Sequence, residues 1–313
     1  MTIETTTMRS VLVAELRPVV GRRFQPTGFP DLGAAEFDSG QERALLVESA
    51  QSMANRLEAT TWDDASADQV APLAGVPYVK VVDGAGEFLS SSRLEAHRLA
   101  SAYVMEGKLD GVKGEAWLAE RLGLRKGRPL DHRAVARTCF ALDPLSLVHG
   151  VFFARKAWPW QPKIARAVTS FIEAYDVRPV VSGGVKRDVV HNEVEQGRGT
   201  AEGYGTVPHH RVEYTAGRIV AYFSVDRSQL RSYGLSEAGT ALLEALVDFE
   251  VGTLLDGGLR LRTACDLEVL DVRGDRPDTA EAAKRIGVLV GECRPELGPV
   301  TTVTWTAEGR SKS

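Results

Sequence analysis

The residue types that could do chemistry gather at a few places. In ESAQSMANRLE, Glu48 to Glu58, Ser49 has the identity of a helix N-cap, following an apolar run from Ala44 to Val47. At about 100° per residue, Ala50, Met53, Ala54 and Leu57 form one apolar face, and Gln51, Ser52, Asn55 and Arg56 gather opposite it. Amides and hydroxyls beside a helix N-terminus suit a phosphate, because unpaired backbone N–H groups and the positive dipole end both face the anion. The same spacing also suits a capped surface helix, and it is less specific than a Walker loop. A second run, SGGVKRD from Ser182 to Asp188, sets Gly183 and Gly184 before Lys186 and Arg187, where bare backbone can approach a ligand closely. It lacks both GxGxxG and GxxxxGK[ST], which argues against a nucleotide cofactor, and an ordinary turn also accounts for it. A similar pair, Gly257 and Gly258, precedes Arg260 and Arg262.

Six histidines are present, none in an HExxH, and no His, Cys, Asp or Glu group has metal-ligand spacing. No metal or cofactor is expected. Gly-x-Ser-x-Gly is also missing, so an esterase triad has no anchor. His97 beside Arg98 and His210 beside Arg211 have the types for a phosphate contact or a general base, with surface or packing roles as the alternative.

These residues must be held by ordinary globular elements. The chain has 313 residues, 43% apolar and 26% charged, enough to bury a core and incompatible with wholesale disorder or a fibrous repeat. No apolar run approaches the roughly 18 residues of a membrane span. The N-terminal MTIETTTMRS carries no basic and apolar leader pattern, so the expected location is cytoplasmic. Three cysteines, widely spaced and without a CxxC, fit reduced, inert thiols. The net charge of -4 argues against a uniformly basic nucleic-acid binder, but the charge is polarised. Arg121 to Arg137 holds six cations against the single acid Asp131, Arg17, Arg22 and Arg23 cluster near the start, and Tyr233 to Leu259 holds five acids and no cation.

Periodicity predicts strands at Val11 to Leu16, Ala44 to Val47, Tyr78 to Val82, Leu147 to Phe153, Val177 to Val181, Val212 to Val225 around Gly217, Leu259 to Leu270 and Val300 to Trp305. Helices are expected near Ser92 to Met105, Glu115 to Leu124, His132 to Phe140, Glu237 to Leu255 and Thr279 to Ile286. Another is expected from Pro162, with Ile164, Val168, Phe171 and Ile172 as its buried stripe. Thr60 to Gly75 reads as a linker and Ser182 to His209 as a long polar segment. Strands interspersed with helices give an α+β or α/β class.

Six runs together, RFQPTGFPDLGAAEF (Arg23 to Phe37), LLVESAQSMANRLE (Leu45 to Glu58), EAHRLAS (Glu95 to Ser101), FIEAYDVRPVVSGGVK (Phe171 to Lys186), HRVEYTAGRIVAYFSVD (His210 to Asp226) and GLRLRTACDLEV (Gly258 to Val269), resemble the backbone subunit of type I-G, formerly I-U, CRISPR surveillance complexes. The resemblance covers most of the chain and places it in the RAMP superfamily of Cascade repeat subunits. It implies an α+β fold over residues 1–313: one RRM-like (ferredoxin-like) palm, a helical finger insertion at about 87–145 and a thumb hairpin at about 186–209. It further implies a noncatalytic protein that binds crRNA, stacks head to tail with copies of itself, meets other Cascade subunits and presents the guide to target DNA. By the same resemblance Ser49, Gln51 and Ser52, with Asn55 and Arg56, lie against the guide backbone, and the Gly257–Gly258 turn before Arg260 and Arg262 lies beside it. Arg23, His97, Arg98, Lys186, Arg187, His210 and Arg211 complete the expected RNA-binding set. Two other readings stay open on the residues alone: a metal-independent endoribonuclease that matures guide RNA through His97 or His210, and a small-molecule enzyme using the glycine loops.

Overall fold

The computed structural model describes residues 8–29, 32–186 and 207–306. In chain order the elements are β1 (Arg9–Pro18), β2 (Glu36–Ser39), β3 (Glu42–Glu48), α1 (Ala50–Ala59), β4 (Val79–Val82), β5 (Phe88–Ser91), α2 (Ala102–Glu106), β6 (Lys108–Leu109), β7 (Val112–Lys113) and α3 (Gly114–Arg121). There follow α4 (His132–Leu142), α5 (Leu145–Val148), β8 (Val151–Phe152), β9 (Lys163–Ile164), β10 (Val168–Tyr175), β11 (Arg178–Lys186), β12 (Val207–Thr215) and β13 (Arg218–Asp226). The last are α6 (Arg227–Ser232), α7 (Glu237–Asp256), β14 (Leu259–Arg262), β15 (Cys265–Arg273), α8 (Thr279–Glu292) and β16 (Thr301–Thr304). Two further two-residue ladders carry no label.

Alternation in RSVLVAELRP buries Leu12, Ala14 and Leu16 on one face of β1, and the main sheet grows around that strand. It has seven strands in the order β14-β15-β1-β13-β10-β3-β2, all antiparallel. Its four central strands run through the chain as β1, then α1, then β10 and β13, then α7, then β15, and lie in space as β15-β1-β13-β10. Helices α1 and α7 pack together, and α7 also meets α5, α6 and α8. That crowding explains why α7 is apolar nearly all round, with Leu242, Leu246, Phe249 and Leu255 all buried. A second sheet, β7-β6-β16-β4-β5, includes the parallel pair β16 and β4. The architecture is a mixed α+β one.

The helix expected from Pro162 is not there. Lys163–Ile164 is a short strand and Val168–Tyr175 is a central strand, with Val168, Ser170, Ile172 and Ala174 buried at period two. The run VTSFI is rich in β-branched and aromatic residues, and ladders from β13 and β3 satisfy both edges, so tertiary pairing overrides the helical spacing. Leu147 to Phe153 is likewise not one strand: it splits into the end of α5 and β8. Ser92 to Met105 forms a 3-10 turn at Arg98–Ala100 and the short α2 rather than one helix. The Thr60 to Gly75 linker contains a small ladder, Trp62–Asp63 with Asp68–Gln69. Strands β11 and β12 form a two-stranded arm, and most of the thumb expected at about 186–209 lies outside the described residues.

Candidate nucleic-acid interface

The N-terminus of α1 follows β3 directly. Ser49 caps it, its Oγ accepting from the Ser52 N–H at 3.2 Å. Gln51 and Asn55 are exposed one turn apart, and Gln51 Nε2 donates to Asn55 Oδ1 at 3.0 Å. Arg166, just before β10, reaches across: its Nη2 donates to Gln51 Oε1 and its Nη1 to the Ala50 carbonyl at 3.1 Å. The polar face expected from the spacing is real, and a second segment already holds it in place.

Behind that face sits a buried carboxylate that sequence reasoning did not single out. Glu48 is 1% exposed. It accepts from Ser52 Oγ, from Arg56 Nε at 3.1 Å and from Arg262 Nη2. A buried carboxylate is tolerable only when paired and hydrogen-bonded, and here two guanidiniums do this. Arg56 also donates to the Leu261 carbonyl at 2.5 Å and to that of Arg260 at 3.3 Å, and Arg262 donates to the Gln25 carbonyl at 2.7 Å. Burial lowers the pKa of both arginines, and it pushes the neighbouring Cys265 thiol up to about 11. Arg56 and Arg262 are thus engaged by the protein itself, although about a quarter of each side chain stays exposed, at 27% and 25%. Arg260 is exposed, and the turn before it needs Gly258 at φ +75°.

Arg98 corrects the sequence expectation. It is 5% exposed, with Nε and Nη2 each 2.6 Å from the carboxylate of Glu58 and Nη1 3.0 Å from the Gly150 carbonyl. A buried and fully engaged guanidinium has nothing left for a phosphate. His97 beside it is exposed. Arg23 and Arg211 share the buried Glu213 at the base of the β11–β12 arm, at 3.3 and 2.9 Å, next to the bridge between Phe24 and Tyr214. Lys186 and His210 lie on the arm, where His210 pairs with Gly183, but their side chains are outside what is described, as is the whole of Arg187.

Most of the expected arginines therefore already have carboxylate partners. Among the described residues, Arg125, Lys126, Arg128, Arg155, Lys156 and Lys163 form no ion pair. The first three belong to the basic cluster between α3 and α4; Arg155 and Lys156 lie in the loop from β8 to β9, and Lys163 opens β9. The Trp160 indole N–H donates to the Arg128 carbonyl at 2.8 Å and ties the two groups together. The loop cations and Arg166 were missed, and the sequence does carry a signal for them: residues 144–172 contain no acid. A capped helix start, its polar face and this string of unpaired cations make a surface suited to an extended polyanion. Among the described residues no group of three or more His, Cys, Asp or Glu could hold a metal ion, and no helix is long and apolar enough to cross a membrane.

No curated protein matches the chain. A solved "CRISPR RNA-guided surveillance complex, pre-nicking" is similar at 15% identity and a TM-score of 0.43, over 92% of this chain and 87% of that one. The family model described as CRISPR-associated protein GSU0053 matches residues 11–179, more than half of the chain. The protein therefore belongs to the CRISPR-associated protein GSU0053 family, in agreement with the CRISPR resemblance of its sequence runs.

Proposed function

We propose that this protein is the crRNA-binding backbone subunit of a type I CRISPR effector complex, of subtype I-G, and that it is noncatalytic. The central strands support an RRM-like palm: their chain order βαββαβ and spatial order β15-β1-β13-β10 are those of a ferredoxin-like unit. On this reading the segment between α1 and β10 supplies the fingers and the β11–β12 arm the root of the thumb. The observation that carries the RNA reading is the set of cations without an ion pair among the described residues, Arg155, Lys156 and Lys163, on the chain segment that reaches Gln51 through Arg166 and Arg128 through the Trp160 indole.

In this mechanism cations and backbone amides neutralise guide phosphates, while bases left accessible pair with target DNA. Copies add head to tail by a rotation that does not close, so the guide sets the length of the filament. The test is purification from cells that also express a CRISPR array. The expected product is a large particle holding RNA of uniform length; a monomeric, nucleic-acid-free protein under those conditions would overturn the reading.

A further inference from the structure

The loop between β8 and β9 has an unusual surface. Its sequence, VFFARKAWPWQPKI from Val151 to Ile164 with the two flanking strands, carries two buried aromatics flanked by two exposed ones. Phe153 and Trp158 are buried, their rings 6.0 Å apart. Phe152 and Trp160 are 49% and 40% exposed. Phe152 and Trp160 thus turn ring surface to solvent from a segment that buries two neighbouring aromatics, and contacts hold each of them in place.

Three contacts fix them. Phe152 pairs with Lys163 across the ladder, with the Lys163 ammonium 5.8 Å from the Phe152 ring centre. Trp160 is held through its indole N–H on the Arg128 carbonyl. At the base, Gly150 has φ +81° and passes so close to β9 that a Cβ would sit 2.7 Å from the Ile164 carbonyl, and the Gly150 carbonyl takes the third arm of Arg98. Buried Arg98 is therefore a positioning residue: it joins α1, through Glu58, to the root of this loop.

We infer that the β8–β9 loop is a base-stacking site for single-stranded RNA, with Phe152 and Trp160 receiving base faces while Arg155, Lys156 and Lys163 receive phosphates. Stacking on an aromatic face tolerates any base, as a contact repeated along a guide of variable sequence must. The surrounding acid-free stretch excludes a basic partner and favours a polyanion. This inference deepens the RNA-binding reading and rests on it.

The experiment uses the full chain co-expressed with a CRISPR array, with 4-thiouridine incorporated into the guide and photocrosslinked peptides mapped by mass spectrometry. The released protein is then rebound to fluorescein-labelled oligouridylate and followed by anisotropy. Crosslinks within residues 151–164 are expected. Phe152→Ala and Trp160→Ala should each weaken binding by about 5- to 150-fold, Trp160→Phe should retain most of it, and the doubly reversed Lys156→Glu/Lys163→Glu chain should also lose affinity. Lys163→Glu also removes the ammonium over the Phe152 ring, whereas Lys156 forms no ion pair or ring contact among the described residues, so Lys156→Glu alone, which should also weaken binding, decides the matter if Trp160→Ala melts early. Unchanged affinity in the variants, with wild type carrying RNA and crosslinks elsewhere, overturns the loop site and leaves the RNA-binding reading standing. Altered self-association with intact RNA affinity makes the loop a protein interface and overturns the inference. Wild type without RNA from array-expressing cells removes both.

Discussion

The guanidinium of Arg98 meets the carboxylate of Glu58 in a two-pronged pair, 2.6 Å on each side, with both side chains buried. Arg98 adopts φ +51°, a left-handed backbone that a long side chain takes up at a cost of about 1–3 kcal/mol. The pair and the Gly150 carbonyl outweigh that cost and tie the end of α1, the Arg98–Ala100 turn and the β8–β9 loop into one rigid corner.

Removing one partner leaves an uncompensated buried charge. Arg98→Ala should lower unfolding stability by about 3–5 kcal/mol, read as a shift of the denaturant midpoint. Arg98→Lys should recover only part of it, because an ammonium cannot form the fork. A loss below 1 kcal/mol would show that the pair contributes little.

Stability and RNA binding should separate between two sets of arginines. Arg56→Ala breaks the contact with Glu48 and should lower stability by roughly 1.5–3 kcal/mol. Arg128→Ala disturbs no ion pair among the described residues and should leave the melting curve in place. In RNA titrations the Arg128 change should lower the salt slope of log affinity by about 0.7, and the Arg56 change should affect it less. The reverse pattern would place the phosphate path along α1 and β14 instead.

A pH dependence should come from His149. It is buried, with Nε2 3.0 Å from both carboxylate oxygens of Glu250. Burial works against the imidazolium, but Glu250, together with Glu58, outweighs it and holds the His149 pKa above its ordinary 6.5. A base held up in this way adds stability that is complete below its unfolded pKa and is lost as the pH rises through the folded value. The denaturant midpoint should therefore fall on the alkaline side of pH 6.5, and Glu250→Gln should flatten that fall. A profile for Glu250→Gln parallel to wild type would refute it.

The three thiols should be inert in the native protein. Cys139, Cys265 and Cys293 are buried, and burial raises each thiol pKa, to about 11 for Cys265 and Cys293. Ellman's reagent near neutral pH should titrate them only once denaturant is added. Fast labelling of the native chain would contradict this burial.

What the sequence by itself determined was local: the Ser49 cap and two-faced α1, the alternation of β1, the helices α4 and α7, and a polarised charge layout. These follow from spacing and side-chain type, which act over one or two turns. Tertiary structure alone decided that Val168 to Tyr175 is strand, because its ladders come from β3 and β13, far away in sequence. It also decided which cations are free. Arg98 and Arg128 look alike in a list of basic residues, yet Glu58 lies 40 positions from Arg98 and reaches it only in the fold, whereas among the described residues no carboxylate pairs with Arg128. Charge is a property of the residue, but its availability is set by whatever the chain brings within hydrogen-bonding distance.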